Sequence, residues 1–147
     1  MRILILTTAA AAIAGLAMAD TPSINPGQWE TTTTTSVALD MNGQAMNMPG
    51  QTMSSSDCVT EEDAEFSAEQ FAQEGCTVSN FQSDSNSASF DMSCSQNGVA
   101  MNGTMSVEAD SDGNGYSGAF DIAGNAPGMG DMKVTGVVTG KRTGTCS

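Results

Sequence analysis

From Pro26 onward, apolar and polar residues alternate along most of the chain. Trp29, Thr31, Thr33, Thr35, Val37 and Leu39 fall on one face of an extended segment. Glu30, Thr32, Thr34, Ser36 and Asp40 fall on the other. The β-branched run Thr31–Thr35 disfavours helix there and favours a strand. Residues 41–50, ending in Met48-Pro49-Gly50, read as a loop tip, and Gln51 to Val59 as the returning strand.

The period then changes. Thr60 can cap a helix, with Glu61, Glu62 and Asp63 in its positive first turn. Ala64, Ala68, Phe71 and Ala72 recur at helical spacing, and Gly75 stops the element. The spacing predicts one amphipathic helix of about three turns.

Alternation resumes at Cys76 and gives strands Cys76–Ser83 and Ser87–Cys94 around a turn at Asp84-Ser85-Asn86. Gln96-Asn97-Gly98 is a hairpin signal. Beyond it, Val99, Met101, Gly103, Met105 and Val107 share a face. Asp110 to Gly115 is a loop, Tyr116, Gly118, Phe120 and Ile122 line the next strand, and Met132, Val134, Gly136 and Val138 line the last. The pattern predicts an antiparallel β sandwich or barrel-like sheet of about seven strands with one amphipathic helix.

Parity pairs the four cysteines. A turn centred on Ser85 sets Cys76 opposite Cys94. If the helix crosses the length of the sheet, Cys58 and Cys146 meet at the opposite rim. Cys58–Cys146 with Cys76–Cys94 is therefore expected, sequential pairing being the alternative.

Residues 1–19 follow a different logic. Met1-Arg2 is a positive start, Ile3 to Leu16 is uncharged and mostly apolar, and Ala17-Met18-Ala19 is a small-residue cleavage signal. A secretory leader at 1–19 and a single exported β domain at 20–147 are expected, in the periplasm or outside the cell. No stable membrane insertion is expected once the leader is cleaved. Four cysteines in such a chain read as two disulfides.

Charge narrows the function classes. Asp and Glu number 17 against 4 Lys plus Arg, a net charge of −13. Loss of Arg2 with the leader makes it −14, and every acid precedes Lys133. Nucleic acid is excluded as a partner for want of clustered bases. With no histidine, Ser-His-Asp and Cys-His catalysis and imidazole metal sites are excluded too. No nucleophile elbow, phosphate loop or dinucleotide fingerprint is present. The chain reads as a non-enzyme.

Large apolar residues are few after position 19, with Leu39 the only leucine and nine methionines. Methionine fills space that leucine usually fills. Met41, Met46, Met48 and Met53 crowd the first hairpin, with Met129 and Met132 later; thioethers are soft ligands for Cu(I), but the same residues serve as core. Asp110-Ser111-Asp112-Gly113-Asn114-Gly115, with Asp121 eleven residues after Asp110, follows the calcium-loop spacing. A polar hairpin turn needs the same residue types. Asp110, Asp112, Asn114 and Asp121 are thus the candidate metal ligands, and no other cofactor is indicated. Glu61, Glu62, Asp63 and Glu65 read as helix-capping acids. Trp29, Tyr116 and the phenylalanines could line a cavity for a small apolar ligand or form a packed core.

One further likeness is carried by Pro26-Gly27-Gln28-Trp29-Glu30, Met48-Pro49-Gly50, Cys58-Val59-Thr60-Glu61-Glu62-Asp63-Ala64, Gly75-Cys76, Cys94, Tyr116-Ser117-Gly118 and Gly140-Lys141-Arg142-Thr143-Gly144-Thr145-Cys146. In order and spacing this resembles the domain-of-unknown-function family 3617, small exported bacterial proteins with four cysteines. The resemblance implies export and a disulfide-bonded β domain, and no activity. The chain departs from the family in lacking bases between Arg2 and Lys133, which suggests a saline setting. It also has Gln51 where a further methionine often follows Met-Pro-Gly. The functional expectation is a binding or envelope-associated structural module for an apolar ligand or a protein partner. The alternative is a calcium-binding protein.

Overall fold

The computed structural model describes residues 20–72 and 74–147; the leader expected at 1–19 lies outside them. Seven antiparallel strands form one sheet: β1 (Gly27–Met41), β2 (Gln44–Val59), β3 (Cys76–Ser83), β4 (Ser87–Gln96), β5 (Val99–Ala109), β6 (Gly115–Ala126) and β7 (Gly130–Gly144). The order β2-β1-β7-β6-β5-β4-β3 leaves β2 and β3 at the edges, so the sheet is not closed. β1, β4 and β6 begin at one rim, here the first rim, and end at the second.

The first hairpin differs from its expected shape. It turns at Asn42-Gly43, where φ is 55° and 83°. Both residues are left-handed, the requirement of a tight two-residue turn that follows the twist of the strands. Met48-Pro49-Gly50 is not the tip. Thr35 pairs with Gln51 and Val37 with Met48, so Pro49 and Gly50 together oppose Ser36 in a β-bulge. An edge strand tolerates proline there, because the missing N–H has no neighbour to serve.

The helix is also shorter than its spacing predicts. Among the described residues only Ala68–Phe71 (α1) is helical. Upstream, Ile24 N–H donates to the Ala64 carbonyl and Phe66 N–H to the Pro22 carbonyl, while Ser23 and Glu65 form a β-bridge. Pairing with residues 22–24 takes the backbone groups a longer helix would have used, and Ala64 and Phe66, two apart, bury together. Thr60 still caps locally: its Oγ1 accepts from the Asp63 N–H at 3.4 Å and donates to Asp63 Oδ2 at 2.7 Å.

The disulfides are Cys58–Cys146 and Cys76–Cys94. Cys76 and Cys94 are direct partners in the β3–β4 register, at the second rim. Cys58 lies at the first rim beside Gln28, which on its other side pairs with Gly144. This bridge therefore ties β2 to the chain end across the start of β1. The connection from Val59 to Cys76 leaves the first rim at one sheet edge and reaches the second rim at the other, with Ala64, Phe66 and Phe71 packed on one face.

Candidate functional site: a half-covered apolar face

Facing partners on neighbouring strands share a side of the sheet, so the register sorts every side chain. Trp29, Thr31, Thr33, Thr35, Val37 and Leu39 of β1 share their side with Gly140, Val138, Gly136, Val134 and Met132 of β7. Tyr116, Phe120 and Ile122 of β6, and Ala109, Val107, Met105 and Met101 of β5, lie there too. This is the apolar face, and it is covered over only part of its length.

Towards the first rim, residues 22–26 and 60–71 lie over it. Trp29, Ala88, Val107 and Ala109 are buried with Ile24, Ala64 and Phe66. Six of the seven aromatic residues form a continuous chain of ring contacts from β1 to β3. Trp29 lies 5.5 Å from Tyr116, Tyr116 5.6 Å from Phe66, Phe66 6.3 Å from Phe71, Phe71 4.6 Å from Phe90, and Phe90 6.0 Å from Phe81. Their polar tips are satisfied: Trp29 Nε1 donates to the Asn25 carbonyl at 2.9 Å, and the Tyr116 hydroxyl bonds Thr31 Oγ1 at 2.9 Å. Glycine makes room for the rings. A Cβ at Gly140 would sit 2.0 Å from the Tyr116 ring and one at Gly136 2.2 Å from Phe120, so each aromatic lies over its facing glycine. Trp29 and Tyr116 are core, not cavity wall.

Towards the second rim, on the β2-β1-β7-β6 side, none of the described residues lies over this face. Two cross-sheet rows lie there. One runs Met46, Leu39, Met132, Gly124, Met101; the other Met48, Val37, Val134, Ile122, Gly103, Met92. Met41, Met46, Met48 and Met53 are 37%, 46%, 44% and 72% exposed. Val37, Leu39, Ile122, Met132 and Val134 are half-buried, and none of them packs against the buried cluster.

The bulge decides this composition. Side chains alternate strictly along a strand, so odd-numbered Met53 and even-numbered Met46 and Met48 would face opposite ways on a regular β2. The extra residue at Pro49-Gly50 shifts the parity and brings all three to one side, opposite Thr33, Leu39 and Val37. Of the methionines grouped by the sequence, Met129 alone is set apart, in the β6–β7 turn.

The proposed calcium ligands do not converge. Asp110, Asp112 and Asn114 share the β5–β6 turn, whereas Asp121 lies midway along β6, facing Thr104 and Thr135 and 3.0 Å from Lys133 Nζ. The turn is braced by protein instead: Asn25 Nδ2 donates to the Asp112 carbonyl and Asn114 Oδ1, and Asn25 N–H to the Gly113 carbonyl. Among the described residues no three carboxylate or cysteine side chains gather as a metal cage. Glu61 and Glu62 are exposed in the turn after β2, and Glu65 accepts from the Thr21 hydroxyl.

A shallow trough of about 920 Å³ lies on the other, polar face between β1 and β3. Its walls include Thr34, Ser36, Thr104 and Thr135, and its two carboxylates are engaged, Asp121 by Lys133 and Asp91 by Asn80 Nδ2 at 2.6 Å. Volume alone favours the trough. The apolar face is the stronger candidate because exposed apolar area calls for a partner, whereas the trough's hydroxyls can bond solvent.

Among the described residues no helix is long and apolar enough to cross a membrane. Comparisons with curated proteins and with solved structures returned no match. Residues 24–146, spanning both disulfides and all seven strands, match the family described as protein of unknown function (DUF3617), and the chain belongs to that family.

Proposed function

We propose that the protein is an exported, soluble, non-enzymatic binding module that holds an apolar ligand against the open half of its apolar face. The observation that carries this is the contrast within one face: aromatic core under cover near the first rim, exposed methionines and half-buried aliphatics near the second. Methionine suits such a surface, being apolar, unbranched and able to adapt its shape. Two disulfides accord with an oxidising compartment. The reading requires no resident cofactor.

The test is titration with the apolar fluorophore N-phenyl-1-naphthylamine. The native protein takes up the probe, and the pair Val37→Asn with Val134→Asn weakens uptake at least tenfold while cooperative melting is kept. Equal uptake by the pair would place the ligand elsewhere.

A further inference from the structure

We infer that Met41, Met46, Met48 and Met53 form a reversible oxidation site that gates the open apolar face. The gate rests on the binding reading above; the site itself rests on position and exposure alone.

Each of the four thioethers stands on the same side of the β1–β2 hairpin, three of them because of the bulge. Their exposure runs from 37% to 72%. Competing soft groups are withdrawn. All four cysteines are in disulfides, Trp29 is 1% exposed, and Met92, Met101, Met105 and Met132 are half-buried. Met129, 55% exposed but in a turn, is an internal control: equally reachable and off the hairpin.

The oxidant class is a peroxide or hypohalous acid. With hydrogen peroxide, a sulfur lone pair attacks one oxygen and the O–O bond breaks. The S–O bond forms, and the second oxygen leaves as water after proton transfer. Sulfur loses two electrons and the peroxide gains them. A dithiol-fed methionine sulfoxide reductase reverses the step, releasing the oxygen as water and leaving a disulfide on the reductant. The sulfoxide is a strong acceptor. An apolar ligand lying on it would strip its water and offer no donor in return. The aromatic half has none of these sulfurs in its buried cluster, so oxidation changes the surface and spares the core.

The experiment treats the disulfide-bonded protein with limiting hydrogen peroxide, maps sulfoxides by peptide mass spectrometry and then measures N-phenyl-1-naphthylamine uptake. The quartet and Met129 are expected to oxidise at least tenfold faster than Met92, Met101 and Met105. Uptake then falls at least tenfold and returns after reductase treatment. The variant Met41→Leu/Met46→Leu/Met48→Leu/Met53→Leu shows the same uptake before and after peroxide, whatever its starting level, whereas Met129→Leu still loses uptake on oxidation. Oxidation of the quartet no faster than of the half-buried methionines overturns the site. Unchanged uptake by the fully oxidised quartet overturns the gate. Failure of the unoxidised protein to take up the probe sinks the binding reading and the gate with it, while the rate map still decides the site.

Discussion

The two halves of the apolar face are made from the same strands and differ in what lies over them. Near the first rim, two short segments lie on the sheet, and the aromatic residues Trp29, Tyr116, Phe66, Phe71, Phe90 and Phe81 meet ring to ring. Near the second rim on the β2 side, nothing described lies over Val37, Leu39 and the methionines. The first half concentrates large rigid side chains, which contribute most when fully enclosed. The second uses aliphatic and thioether groups, which tolerate partial exposure and a changing partner. Enclosed and exposed apolar side chains are thereby divided along the length of β1, β7 and β6.

Each rim has one disulfide, and removing them separately gives the largest contrast. Cys58–Cys146 closes a separation of 88 residues and Cys76–Cys94 one of 18. By loop-closure entropy, Cys58→Ser/Cys146→Ser should cost about 4–5 kcal/mol and Cys76→Ser/Cys94→Ser about 3 kcal/mol, read by denaturant unfolding. Equal losses would show that strain or residual unfolded structure outweighs loop length.

Truncation within the halves comes next. Trp29→Ala should cost about 3–5 kcal/mol, whereas Leu39→Ala, already half in water, should cost about 1 kcal/mol. If Leu39 proved as costly as Trp29, the second half would be covered in solution. Gly140→Ala probes the boundary: its methyl must displace the Tyr116 ring and loosen its contacts with Trp29 and Phe66, for about 1–3 kcal/mol.

The smallest effect belongs to Asp84, at the first-rim turn. The backbone N–H groups of Asn86 and Ser87, at 2.8 and 2.7 Å, and the Ser87 hydroxyl hold its pKa below the ordinary carboxylate value. A depressed folded-state pKa stabilises above the unfolded value and loses that contribution as pH falls through the folded one. Asp84→Ala should therefore melt slightly below the native protein at neutral pH, with the gap closing in acid.

Strand number and direction could be read from alternation because period two is a local property of sequence. Asn97-Gly98 could be read for the same reason, adopting the left-handed pair its residues favour. Asn42-Gly43 carries the same dipeptide, unweighed beside Met48-Pro49-Gly50, whose turn chemistry serves an edge bulge as well as a loop. That substitution of one role for another hid the candidate site. The crowding of methionines was visible, but their common side depends on a parity change that only pairing with β1 reveals. The helix was overcalled because Ala64 and Ala68 fit helical spacing, while the competing partner, residues 22–24, is remote in sequence. Asp121 fitted a ligand spacing along the chain, yet a strand carries it away from the turn that a helical calcium loop would fold back.

The position of β1 between β2 and β7 also sets a timetable. Its first neighbour follows it directly along the chain; its second is the last strand to be made. During synthesis, the β1–β2 hairpin and the β3–β6 meander can each form early, but they join only when β7 arrives to lie between them. Cys76–Cys94 is local and can close within the meander, whereas Cys58–Cys146 must wait for Cys146, beyond β7. Until then the methionine hairpin is an unattached ribbon. A chain truncated before β7 is therefore expected to leave two incomplete pieces rather than a smaller version of the same sheet.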